Sequence, residues 1–148
     1  MKIAFGCDPN ASTMKNKLIE YVKTLGHETE DFGSDDPIYA NVAIKVAEAV
    51  AAGEYDRGIL VCGTGIGVSI AANKVKGAYA ACIHDVYQAQ RAELSNHANI
   101  ITMGEQVVGI ELAKVMVKEY LSGTFDQNGR SVPKVNRICD YEKEVFRP

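Results

Sequence analysis

Short apolar runs alternate along this chain with amphipathic stretches of a dozen or so residues, and that alternation constrains the fold more than any other feature. Strands that are apolar almost throughout, and not at every second position, belong to a parallel sheet covered by helices on both faces. Five strands are expected, at residues 2–7, 27–32, 58–62, 78–83 and 99–103. The second, with Glu28, Glu30 and Asp31, is the most polar and belongs near an edge. Helices fill the intervals, at residues 11–25, 40–52, 66–75, 86–96 and 106–121, with Gly26 and Gly53 as C-caps of the first two. After a polar turn at Asn128-Gly129, residues 133–145 form a last, charged helix.

Composition narrows the classes of function. The 148 residues carry 16 Lys and Arg against 19 Asp and Glu, a formal charge of −3, so the chain lacks the basic footprint of a nucleic-acid binder. No apolar stretch approaches the roughly 20 residues of a membrane helix, and residues 1–5 run straight into a strand pattern, not a signal peptide. A cytoplasmic protein is expected. Cys7, Cys62, Cys82 and Cys139 show neither CxxC pairing nor zinc-like clustering, which makes them free thiols in a reducing compartment. With no repeat and no Pro/Gly-rich linker, residues 1–148 read as one domain. The terminal segment, with Arg130, Lys134, Arg137, Lys143 and Arg147 and few large apolar residues, either reaches a second subunit or lies solvated on its own domain.

Chemistry concentrates where the third strand runs through Cys62 into Gly63-Thr64-Gly65-Ile66-Gly67 and opens a helix. Beyond the carboxyl ends of parallel strands lies the usual ligand crevice, and glycines there let backbone N–H groups approach an anion. Dinucleotide binding is disfavoured, because the motif sits on the third strand, lacks the GxGxxG spacing and is followed by no acidic ribose ligand; the Lys-Ser or Lys-Thr of a Walker A loop is also missing. Cys62, facing those amides, is either a base or nucleophile favoured as thiolate, or a small buried hydrophobe. Asp8 ends the first strand in the same crevice, as a ligand for sugar hydroxyls or a helix cap, and His84-Asp85 end the fourth in the same way. His27 and His97 share no metal-ligand spacing with each other, so no metal site is expected.

Residues 1–8, Lys45 to Val50, Cys62 to Gly67 continuing to Lys74, and Asn128-Gly129-Arg130 together resemble the ribose-5-phosphate isomerase B and galactose-6-phosphate isomerase family over nearly the whole chain. The resemblance implies a three-layer αβα sandwich on a five-stranded, parallel, Rossmann-like sheet, with a C-terminal helix reaching a second subunit. It implies a homodimer or homotetramer with shared active sites, a small-molecule sugar phosphate as substrate, and neither metal nor organic cofactor. The reaction moves a carbonyl between C1 and C2 of an open-chain sugar through a cis-enediolate. Carried over, Cys62 is the base, the amides of Gly63, Gly65 and Gly67 stabilise the enediolate oxygen, and Thr64 assists at the hydroxyl. Asp8, Tyr39, Ser69 and Asn96 line the substrate, while Arg130 and Lys134, the latter in place of a second arginine, hold the phosphate.

Three departures from the family pattern bear on the substrate. Pro9 stands where the family usually has histidine, Gln106 where it often has arginine, and Ser95 where ribose-5-phosphate isomerases have the histidine that opens the cyclic sugar. A four-carbon sugar with phosphate on O4 cannot close a furanose and needs no such histidine. Tyr39-Ala40-Asn41, Leu94-Ser95-Asn96 and Thr124-Phe125-Asp126 resemble the branch that interconverts D-erythrulose 4-phosphate and D-erythrose 4-phosphate. The tetrose is the expected substrate. A pentose or hexose phosphate isomerase, alone or paired with a homologous subunit, and a non-catalytic sugar-phosphate binding protein are the competing readings.

Overall fold

In the computed structural model, which describes residues 1–146, five strands form one parallel sheet: β1 Lys2–Cys7, β2 Glu28–Asp31, β3 Arg57–Cys62, β4 Ala80–Cys82 and β5 Ile100–Gly104. Their order is β2-β1-β3-β5-β4, every neighbouring pair parallel. Six helices cover the sheet: α1 Ser12–Thr24, α2 Tyr39–Ala51, α3 Ile66–Ala72, α4 Val86–Leu94, α5 Ile110–Ser122 and α6 Val132–Val145. Arg147, the last of the basic residues in the terminal segment, lies outside the described residues.

The two faces of the sheet bury separate apolar layers, as helix crossovers on both sides require. Ile3, Phe5, Ile59, Val61, Ile101 and Met103 meet α1, α4 and α5, whereas Ala4, Leu60, Cys62 and Ile100 meet α2 and α3. On the second side small residues let α2 come close. A Cβ on Gly6 would stand 2.7 Å from Val42, and one on Gly58 3.1 Å from Val46. That approach carries the start of α2, with Tyr39, over the carboxyl end of β3.

β2 is an edge strand, and its polar residues face water. Several element ends differ from the pattern-based expectation, and hydrogen bonds account for three of them. The first helix is preceded by a 3₁₀ turn, Pro9–Ala11, because Asp8 accepts from the Asn10 N–H at 2.9 Å and Pro9 starts the turn. α3 stops at Ala72 because Asn73 turns its amide on β4, donating to the Ala80 carbonyl and accepting from the Ala80 N–H. Residues 106–109 are a turn, the Gly104 carbonyl accepting from both Val107 and Val108, and α5 begins only after Gly109.

Lys15 is almost wholly buried and holds Asp31 at 2.7 and 2.9 Å, joining α1 to β2. Close by, burial pushes the Cys7 thiol up to about 11, against a weaker opposing pull from Lys15. A thiol with a folded pKa above its unfolded value, about 9, favours the folded state below that value and loses its contribution as pH rises towards 11. Thermal midpoints of the wild type are therefore expected to fall more steeply between pH 9 and 11 than those of Cys7→Ala; parallel slopes would contradict this.

Candidate active site

The site is built where β1 and β3 diverge into helices on opposite sides of the sheet, the position at which α/β folds open a crevice. Asp8 lies there, its N–H bonded to the Val61 carbonyl at 3.0 Å. Its side chain caps the 3₁₀ turn, so the capping role considered for it is realised. Asp85 also caps, accepting from the Gln88 N–H at 2.7 Å.

Cys62 ends β3, 5% exposed, and its Sγ accepts the Gly65 N–H at 3.1 Å. The loop that delivers this donor is held from several sides. Gly65 has φ +79°, a left-handed conformation that glycine adopts without cost. Its carbonyl accepts the Thr102 hydroxyl at 2.7 Å, and a Cβ on Gly104 would lie 2.5 Å from the Thr64 carbonyl carbon. Thr64 is exposed, with Oγ1 accepting the Ile66 N–H at 3.3 Å. Thr102 is a supporting residue that motif reading missed, although its signal is plain: one hydroxyl inside the buried run Ile100 to Met103.

Tyr39 lies across Gly67, its ring filling the space a Cβ would take. The turn before it is fixed by Asp36, which accepts from the Ile38 N–H at 2.8 Å and the Asn41 amide at 2.9 Å; these bonds, Asn41 first, hold its carboxyl below the usual range. Gln106 closes the opposite side. Its N–H donates to the Gly63 carbonyl at 3.0 Å and its carboxamide lies against the Gly63 Cα. Ser69 lies a turn into α3, buried, its hydroxyl donating to the Ala80 carbonyl at 3.4 Å.

The structure thus brings Asp8, Tyr39, Cys62, Gly63, Thr64, Gly65 and Gly67 together at the carboxyl end of the sheet. Asn96, Arg130 and Lys134 lie elsewhere. Asn96 sits in the turn leading into β5, at the amino end, and a strand of five residues separates it from the crevice by roughly 16 Å. Arg130 follows α5, which returns to that same end, and Lys134 is in the first turn of α6.

A buried carboxylate organises the amino end. Glu93, 1% exposed, faces Arg57 Nη2 at 3.0 Å and His97 Nδ1 at 3.2 Å, and accepts the Phe125 N–H at 3.1 Å. His97, at φ +51°, stacks on Phe125 with ring centroids 4.7 Å apart. One side chain thereby fixes both the turn that carries Asn96 and the start of the segment leading to Arg130. Helix α6 lies on its own chain through Glu142, which accepts from the Gly77 N–H at 2.8 Å and the Tyr79 hydroxyl at 2.5 Å. It buries no residue fully and leaves Ile138, Tyr141 and Val145 more than half exposed. Cys82 is exposed because β4 is the edge strand it terminates.

A cysteine sulfur thus faces a fixed backbone donor at the carboxyl end of a doubly wound parallel sheet. Residues 3–138 match the model of the ribose/galactose isomerase family, and the chain belongs to that family. It is 56% identical to D-erythrulose-4-phosphate isomerase 2 of Mycolicibacterium smegmatis, over 96% of this chain and 97% of that one. It is 48% identical to a ribose-5-P isomerase B of Listeria innocua, over 97% and 99% of the two chains. The ribose-5-phosphate isomerase B structure of Clostridium thermocellum superposes with a TM-score of 0.91 at 42% identity, covering 98% and 99%. The protein is an aldose-ketose isomerase acting on a sugar phosphate.

Proposed function

We propose that the enzyme interconverts D-erythrulose 4-phosphate and D-erythrose 4-phosphate in the cytoplasm, with each active site completed by a second copy of the chain. The Cys62 sulfur, held 3.1 Å from the Gly65 N–H at the strand end where Asp8 meets Val61 and Tyr39 lies across Gly67, carries the chemical part of this reading. Its thiolate removes a proton from C1 of the ketose, and the enediolate oxygen takes its hydrogen bonds from the amides of the Gly63 to Gly67 loop. The same thiol returns the proton to C2, while the Thr64 hydroxyl moves the proton between O1 and O2. Asp8 and Tyr39 line the sugar, while Ser69, buried in α3, is turned to the Ala80 carbonyl of β4.

The substrate's length is supported by Ser95, which offers no ring-opening acid, and by the relative from Mycolicibacterium smegmatis, named for the tetrose. Sharing between copies is supported by charge. Asp8, Asp35, Asp36 and Glu105 surround the carboxyl end, and none of the described arginines stands there. At this end Lys45 stands beside Asp35 and Asp36 and no guanidinium is present, and in this reading Arg130 and Lys134 bring the cations a phosphate dianion needs from another chain, with Asn96 alongside. A two-fold axis makes that exchange reciprocal, and the exposed apolar residues of α6 would be covered in such a pair.

Turnover of D-erythrulose 4-phosphate, D-ribose 5-phosphate and galactose 6-phosphate, compared as kcat/KM, tests the substrate. A preference for the tetrose of about 10-fold or more is expected, the scale that one extra carbon unit and its missing acid impose; faster turnover of ribose 5-phosphate would overturn it. Sharing is tested by mixing inactive Cys62→Ala with inactive Arg130→Ala after unfolding and refolding together. Random pairing gives mixed dimers with one intact site, so about a quarter of wild-type activity returns. No recovery would mean that each chain is self-sufficient.

A further inference from the structure

Two guanidinium groups share one hollow near the amino end of the sheet. Arg91, in the last turn of α4, and Arg130 line a depression of about 250 Å³ together with Leu94, Thr124, Asp126 and Ser131. Among the described residues no carboxylate lies within ion-pair distance of either arginine; the ion pairs engage Lys15, Lys23, Arg57, His97, Lys114, Arg137 and Lys143. Asp126 is the one acid in the hollow, and it is committed to its own turn, accepting the Asn128 N–H at 2.9 Å.

Arg91 is also held in place. Its Nε donates to the Ser95 hydroxyl at 2.6 Å, and the residue is half-buried. That bond uses Nε, the guanidinium nitrogen within the side chain, and leaves the two terminal nitrogens available to an anion. Thr124 and Ser131 line the same hollow. Two guanidinium groups without a carboxylate partner, one of them held by a hydrogen bond, have the chemistry of a phosphate monoester site.

We infer that Arg91 is a phosphate-binding residue, a second guanidinium beside Arg130, in the portion of the site that one copy lends to another. The inference rests on the shared-site reading above and adds to it. It also gives Ser95 work to do: the residue that stands where ribose isomerases have histidine orients Arg91. With Gln106 neutral beside Gly63, a fixed second guanidinium supplies the charge that a phosphate dianion requires.

Calorimetric titration with inorganic phosphate, run beside steady-state kinetics on D-erythrulose 4-phosphate, tests this in the whole protein. Losing a hydrogen-bonded charge weakens binding by about 10- to 100-fold, so Arg91→Met is expected to raise both the phosphate Kd and KM by that factor with kcat within about threefold. Arg91→Lys recovers part of the loss, and Ser95→Ala, which keeps the charge but frees it, costs about 3- to 10-fold in the same two quantities. Unchanged phosphate affinity in Arg91→Met, or a wild type that binds no phosphate, would overturn the inference; so would a fall in kcat at constant KM. Should Arg91→Met fail to fold, Ser95→Ala decides by the same readings. A wild type that binds phosphate through Arg91 yet turns over no sugar phosphate would support Arg91 and sink the proposed reaction instead.

Discussion

Cys62→Ala is expected to lower kcat by about 10²- to 10⁴-fold, the range a positioned base contributes, while the sugar phosphate still binds within a few-fold of wild type. None of the other thiols shares the Cys62 contact with the Gly65 N–H. Cys7 ends β1 with its side chain in the layer facing α1 and α5, the opposite side of the sheet from Cys62. Cys82 ends β4 with its exposed sulfur 4.0 Å from the Thr64 carbonyl, directed at that oxygen and not at the Gly65 N–H. Proton NMR in deuterated water checks the loss twice: interconversion stops, and so does exchange of the carbon-bound hydrogen. Full activity would remove Cys62 as the base, and exchange without interconversion would assign proton removal to another group.

The strands were legible because most are buried on both faces, so that runs such as Ile59-Leu60-Val61 carry the signal without help from the rest of the chain. Strand order was another matter. β5 enters between β3 and β4, and nothing local distinguishes that from placement at the end; only the polarity of Glu28, Glu30 and Asp31 marked an edge. Helix ends failed where a distant partner decides them, as with Asn73, whose amide bridges to Ala80 across a turn.

The same division holds at the site. Cys62 to Gly67 is contiguous, and its strand, turn and helix sequence places its own amides, so this half could be read directly. Asn96, Arg130 and Lys134 entered through resemblance to a family, and the fold sets them a sheet's length away from Cys62 in one chain. Their supports were invisible to pattern reading. Arg57, the i,i+4 pair Glu93 and His97, and Phe125 belong to three separate segments, and no local pattern indicates that a carboxylate on a helix will be buried against the other two.

Gly65→Ala carries the second large expected effect, because three constraints meet at that residue. At φ +79° an L-residue costs about 1 kcal/mol. Its Cβ would stand 2.7 Å from the Met103 carbonyl carbon and 3.0 Å from the Gly104 nitrogen, backbone atoms in the centre of the sheet that cannot step aside. Overpacking of this kind costs about 1–3 kcal/mol. The loop must therefore move, and both the Thr102 hydroxyl bond and the N–H aimed at Cys62 go with it. A combined loss of about 2–4 kcal/mol in denaturant unfolding is expected, with kcat down by about 10²-fold, the effect of removing one fixed donor. Gly26 provides the control. It has φ +88° but nothing within 4 Å of a Cβ, so Gly26→Ala bears the conformational cost alone, about 1 kcal/mol, and keeps full activity. If the two variants unfold at the same denaturant concentration and turn over equally fast, the glycine loop is not the rigid donor that the proposed proton transfer requires.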